Sequence, residues 1–518
     1  MKNKLIIGAL FALGLAACSS APGNIKDDLP NTDAGQINSS PSDLINGNPN
    51  LAEVFDATDN TLPTTDLASI DLGLNATIPG WTGTKFVFND PQEVEYGAAV
   101  TSDSSGKVIA VGRSYGFDGS LSYYPDLSRL VHQQNLVITK FNAAGVITWK
   151  RMIGSSTQGA FKTAGFTLQD RPTVPTGVVT DPSGNIYVSG SVGGFGVNGG
   201  NSGDRDAFLI KFNSGGGIVW SRVLGAAGDD GVTGMAINGT NIYLTGYACG
   251  NGLNFLGNTI RGACDVFVTK YESGGNRSWA KLYGSPGNDL AAKIAKVSSG
   301  GAVVVGTNQG ALDANGTATN KNGFVVRLDP NGNTIWTQTI ATPQNDDAFA
   351  VTASSDAVYV GGETNGNLNG TPRTRTASTY AADAFLVKLS LAAGATQWTR
   401  YVTSSMLYAE YSSARVTDLA LNSSGQLFVF GSGFNSIIDD TDIAWPVRYD
   451  AAGTRTADAV VNGYVTPDAQ ASNAKVAMGL GADGVFLLLD DYRTKTPSSF
   501  QPNFTVYLTK LGFDLKQK

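Results

Sequence analysis

Three stretches decide the fold: Asp206 to Trp220 reads DAFLIKFNSGGGIVW, Asp265 to Trp279 reads DVFVTKYESGGNRSW, and Asn322 to Trp336 reads NGFVVRLDPNGNTIW. Each is an apolar strand, a basic residue, a glycine-containing turn and a second strand that reaches tryptophan. The same phrase runs from Asn135 to Trp149 and, with one extra turn residue, from Asp383 to Trp398. Two degenerate copies follow, around Arg448, where Ala457 replaces the tryptophan, and around Lys510, where the chain ends before a second strand is complete. The basic residue thus recurs at Lys140, Lys211, Lys270, Arg327, Lys388, Arg448 and Lys510, at intervals of 57 to 71 residues. A period of this length marks a repeat architecture in which each unit buries its faces against its neighbours.

A second phrase alternates with the first: Val108 to Gly112, Ile186 to Gly190, Ile242 to Gly246, Val303 to Gly306, Val358 to Gly362, Leu427 to Gly431 and Val485 to Leu489. It follows turn sequences such as DSSGK at Asp103 and DPSGN at Asp181, which suit a type I turn with glycine at the left-handed position. Two hairpins in about sixty residues, seven times over, predict an all-β chain folded as a single seven-bladed β-propeller of four-stranded blades. The ends argue for closure. The last copy lacks its outermost strand, and Gly80 to Phe88 (GWTGTKFVF) stands unassigned before the first blade, so this N-terminal strand is expected to complete the last one. A charged fraction of only 15% with 64 glycines fits a large β protein rich in tight turns.

The first residues are of another kind. Lys2 and Lys4 precede an apolar run from Leu5 to Ala17, which is too short to span a bilayer and reads as a signal peptide over 1–17. It closes on Leu15-Ala16-Ala17-Cys18, followed by Ser19, and here the chain resembles the lipobox of bacterial lipoproteins. The resemblance implies cleavage before Cys18 and lipidation (palmitate among the acyl chains) of that residue, with Ser19 leaning towards the outer membrane or cell surface over the inner membrane. Several acyl chains on one cysteine would anchor the protein without a spanning helix. Residues 18–79 are rich in Ser, Pro, Asn and Asp and read as a flexible tether, leaving 80–518 for the propeller.

Lys and Arg number 36 against 43 Asp and Glu, a net charge of −7, and no basic run follows the signal. Nucleic acid is therefore a poor partner. Cys249 and Cys264 flank a Gly- and Asn-rich stretch in a chain addressed to an oxidising compartment, which favours a disulfide over two free thiols. Closing a loop of that length stabilises by about 3 kcal/mol in the chain-entropy model.

The loops between the second and third strands of each blade are long: Arg113 to Gln134, Ser191 to Arg205, Tyr247 to Cys264, Thr307 to Lys321 and Glu363 to Ala382. They share a face with the connections between blades, opposite the tight turns, and long loops on a rigid scaffold are where binding usually resides. The first holds Tyr115, Phe117, Tyr123, Tyr124 and His132, a set suited to a glycan or a protein partner, or to packing the loop over the propeller. His132 is the only histidine, which argues against metal or triad chemistry there. Trp149 and Arg151, Trp220 and Arg222, Trp279 and Lys281, and Trp398 and Arg400 recur two residues apart, so each pair shares one strand face, the ring burying and the charge reaching solvent or a carboxylate. Asp229, Asp230, Asp289, Asp346 and Asp347 follow outer strands at matching places, for blade-to-blade ion pairs or loop hydrogen bonds, with calcium as the alternative.

The D-A-F-x-x-K, G-x-x-x-W and I-Y-V-x-G phrases resemble those of the SBBP β-propeller repeat family, over nearly everything after residue 80. The resemblance implies the fold and an exported or cell-surface setting, and no single activity. The expectation is a non-enzymatic cell-envelope lipoprotein without a cofactor, presenting its long loops to an envelope protein or a glycan. The competing class is a propeller enzyme, quinoprotein-dehydrogenase-like or a hydrolase, with a site at the mouth of the central channel. Gly332 to Trp336 is similar to the tryptophan-docking phrase of quinoprotein dehydrogenases, although those have eight blades and a cofactor-ligand cluster that this chain does not show.

Overall fold

A computed structural model describes residues 85–88, 94–115, 134–153, 162–163, 166–167, 173–193, 205–309, 320–373, 382–402, 413–435, 441–458, 477–482, 484–491 and 505–515. These form seven four-stranded antiparallel sheets, the blades of one propeller. Blade three shows the plan: Asp230–Asn238, Asn241–Cys249, Cys264–Glu272 and Arg277–Tyr283 lie side by side in chain order. Blades one, two, four, five and six repeat it over 94–153, 173–224, 289–340, 346–401 and 413–458.

The seventh blade is built from both ends of the chain. Ala477–Leu480, Gly484–Asp491 and Thr505–Gly512 supply three strands, and Lys85–Phe88 adds the outermost one by pairing antiparallel with Thr505–Gly512. The first strand of every blade packs beside that of the next, and Ala477–Leu480 returns to Val94–Ser102, so the ring is closed. The Ser102 hydroxyl donates to the Leu480 carbonyl (2.7 Å) across this seam.

Both faces of a blade are apolar because both are covered. All of Ile186–Gly193 is buried. The core lies between blades: Val303, Val305 and Val325 of blade four meet Val358, Val360 and Phe385 of blade five, and Val108 and Val137 of blade one meet Leu488 and Leu508 across the closure. Inside each blade the recurrent strand-ending glycine has a steric reason. A Cβ on Gly246 would stand 1.8 Å from the Gly231 carbonyl oxygen and 2.8 Å from the Phe267 ring of the neighbouring strand.

The basic residue and the tryptophan act together, on the next blade. Lys211 Nζ (2.8 Å) and Trp220 Nε1 (3.1 Å) both donate to the Ser273 carbonyl in the outer turn of blade three. Lys140 and Trp149 grip Ser214 in the same way (3.0 and 3.2 Å), and Arg327 and Trp336 grip Leu391 (2.6 and 2.9 Å). Trp279 donates to Pro330 (3.0 Å), Lys388 to Ala451 (3.1 Å) and Arg448 to Phe513. The indole of Trp220 lies against Gly275, whose φ is +89° and whose missing side chain leaves the ring its place, 3.1 Å from a built Cβ. The arginine two residues on stays partly exposed, as the alternation suggests, and adds a contact that alternation does not foretell. Arg222 lies 5.3 Å over the Trp220 ring and donates to the Gly275 carbonyl (3.0 Å), and Arg400 does the same with Trp398 (5.2 Å) and Gly453 (3.2 Å).

Trp220→Ala removes a buried ring and its carbonyl contact and is expected to lower stability by about 3 kcal/mol, read from the urea midpoint. Gly275→Ala should be destabilising as well; an unchanged midpoint for both would contradict the clamp. A chain starting after Phe88 leaves Thr505–Gly512 as a bare edge, so it should melt earlier and aggregate in light scattering.

Candidate functional site

Aspartates at the blade junctions on the long-loop face are buried and staple the connecting loops. Asp230 accepts the backbone N–H of Ala226 (2.5 Å) and of Cys249 (3.2 Å). Asp289 accepts the N–H and hydroxyl of Ser285 (2.6 and 2.9 Å), and Asp346 those of Thr342 (2.5 and 2.9 Å) together with the Thr364 hydroxyl. Loop hydrogen bonding is thus what these carboxyls do. Asp347 instead reaches between blades, accepting the Thr307 hydroxyl at 2.6 Å. Among the described residues no group of three or more His, Cys, Asp or Glu side chains is placed to hold a metal ion.

Burial pushes Asp230 up to about 8 against the pull of its two N–H donors, with Asp206 and Asp229 adding to the rise. Burial raises Asp289 and Asp346 too. A carboxyl whose folded pKa exceeds its unfolded value keeps a proton that the unfolded chain gives up, so its contribution to stability is full at low pH and falls as pH rises. Thermal stability should therefore decline from about pH 4 to about pH 8, and Asp230→Asn should flatten part of that slope.

Cys249 and Cys264 stand directly opposite on paired strands and are joined as a disulfide. The loop they close carries a short hairpin, Asn254–Phe255 with Asn258–Thr259, pinned by the buried Phe255 ring 4.9 Å from Phe267. Tyr115 ends the second strand of blade one, paired with Val94 and Gln134. Phe117, Tyr123, Tyr124 and His132 lie outside the described residues, as do Cys18 and the tether.

The blades differ from one another in one row of positions that carries no sequence motif. In six blades the second-strand glycine pairs with the residue that precedes a bulge in the channel-lining strand. One step nearer the long-loop face, the paired positions are Tyr96 and Arg113, Val174 and Ser191, Gly231 and Tyr247, Leu290 and Thr307, Asp347 and Glu363, and Arg415 and Ser432. Six glycines in one row are followed by a row in which almost nothing repeats. Asp347, Leu290 and Arg415 are partly or well exposed between buried neighbours, Leu290 reaching 41%. The pairs lie at the end of the innermost strands, around the mouth of the channel.

Chemistry gathers on the arc of blades four to six. The Glu363 carboxyl is pushed up to about 7, first by burial, with Arg415 and Lys321 opposing and Asp347 adding to the rise. Deeper in, Lys293 Nζ lies 3.2 Å from an Asp418 carboxylate oxygen, joining blades four and six past blade five. Elsewhere the residue after the bulge is small: Ala99, Gly177, Gly234 and Ala350.

The fold and this mouth define a seven-bladed β-propeller whose blade contacts repeat and whose row of residues at the channel mouth does not. No family model matches the chain. A stretch of 123 residues is 29% identical to Regulatory protein FlaEY of Caulobacter vibrioides, covering 22% of this chain and 13% of that protein. Among solved structures, a protein of unknown function from Dyadobacter fermentans shares 8% identity (TM-score 0.44, 82% of this chain and 98% of that one). Quinohemoprotein alcohol dehydrogenase from Comamonas testosteroni shares 10% (TM-score 0.35, 82% and 76%). The α-L-arabinofuranosidase of Fusarium graminearum in complex with arabinobiose shares 11% (TM-score 0.38, 72% and 98%). The chain spans about an eighth of the length of the curated relative it matches, and these likenesses say nothing of activity.

Proposed function

We propose that this chain is a non-enzymatic lipoprotein of the cell envelope, a binding or scaffold module that presents the long-loop face of its propeller to an envelope protein or a glycan. One observation carries the reading: the repeat is uniform where blades hold one another and stops being uniform around the channel mouth. Most residues that vary within this ring of equivalent positions do not share a common structural contact, the Thr307 and Asp347 hydrogen bond between blades being the exception. The LAACSS sequence at Leu15 supports an anchor at Cys18 and a place at the outer membrane or cell surface. The recurring phrases support membership of the SBBP-type propellers.

Full-length protein in bacterial envelopes should fractionate with membranes, and Cys18→Ser should move it to the soluble fraction. Affinity purification from detergent-solubilised envelopes should recover a partner that is lost when the Arg113 to Gln134 and Glu363 to Ala382 loops are shortened. Recovery of the same partner without them would sink the loop-face reading. The Asp347 and Glu363 pair favours a second reading, a propeller enzyme working at the channel mouth. Release of product from a retained glycan, abolished by Glu363→Gln, would decide for it.

A further inference from the structure

Position by position, the channel-lining strands single out blade five. The bulged residue is Ala98, Thr176, Thr233, Ala292 or Thr417 in the other blades that carry the bulge, and Phe349 in blade five. Phe349 is partly exposed and belongs to neither of the apolar clusters that blade five shares with its neighbours. An aromatic ring thus stands on the innermost strand, outside those clusters, where the other blades carry alanine or threonine. Asp347 and Glu363 stand directly opposite one another one step nearer the mouth. Arg415 follows on blade six, its only side-chain hydrogen bond among the described residues going to the Ser432 hydroxyl at 3.4 Å, and among the described residues no donor hydrogen-bonds the Glu363 carboxyl. The Lys293 and Asp418 pair lies beneath them.

We infer that this arc, formed by Asp347, Phe349, Glu363 and Arg415 above the Lys293–Asp418 pair, is a binding site for an uncharged saccharide. The inference rests on the binding reading above and gives its ligand a class. Carboxylates and a guanidinium are planar, two-pronged groups that match the paired hydroxyls of a sugar ring, and an aromatic face accepts the ring's apolar side. Asp347, Glu363 and Asp418 stand against Arg415, Lys293 and Lys321, so with Glu363 ionised these groups balance and with it protonated they carry one positive charge, too little to hold a polyanion or a cationic peptide. An apolar ligand would leave these charged groups desolvated and unpaired.

The test uses the full-length protein in detergent micelles, screened against an array of neutral oligosaccharides, with calorimetry on any sugar retained. Binding should fall about tenfold in Glu363→Gln, which keeps the side chain's shape, and by a similar factor in Phe349→Ala, each checked for an unchanged melting temperature. With Arg415 and Lys321 drawing the Glu363 carboxyl towards ionisation and burial and Asp347 opposing it, wild-type affinity should strengthen as pH rises through about 7, a dependence absent from Glu363→Gln. Failure of the wild-type protein to retain any sugar overturns the inference, even where an envelope protein captured through the long loops leaves the broader reading standing. Retention that neither substitution weakens overturns it too, since the sugar would then sit on the loops.

Discussion

The blades are fixed to one another through the backbone carbonyls of their outer turns. At three junctions a lysine or arginine from the third strand and the indole N–H from the fourth converge on a single backbone oxygen of the next blade, as Lys211 and Trp220 do on Ser273, and at three others one donor alone reaches across. Neighbouring blades share no sheet, so nothing in β pairing sets their spacing or angle. Apolar faces alone would let them slide. A charge-assisted bond and a ring bond to the same oxygen fix position and direction together, with a strength that exceeds that of a neutral bond because the donor is ionised. The turn must offer its carbonyl outward and carry no side chain over the indole, which is why the glycine of Gly275 belongs to the same device.

Closing the ring removes the remaining freedom. Lys85–Phe88 supplies the edge that Thr505–Gly512 lacks, so both ends of the chain are held in one blade and the exposed edge is covered. With the turn side committed to holding blades together, the inner ends of the strands on the opposite face are released from repetition. That division explains how a row of glycines lies one residue along the strand from a mouth where Tyr96, Leu290, Asp347 and Arg415 occupy equivalent places.

Much of this was legible without coordinates. The spacing of Lys140 to Lys510, the two alternating phrases and the surplus strand near Phe86 imply the blade count, the strand order and the closure, because each follows from local patterns that recur. The pairing of Arg448 with Ala457 repeats that of Lys211 with Trp220, so even the degenerate copy keeps the register its sequence announced. The direction of Arg222 was not legible, since alternation fixes the face a residue lies on and not the partner waiting there.

The amino-acid sequence by itself determined the architecture, since hairpins, turns and two-sided apolar strands are dictated by residues close together in the chain. Only the tertiary structure brought the candidate site together. Lys293, Glu363 and the Arg415 and Asp418 pair lie on three different blades with no common motif, and each is unremarked in its own repeat. Folding seven repeats into a circle brings the inner ends of distant strands to one small opening, where a difference between repeats becomes a shared chemical surface.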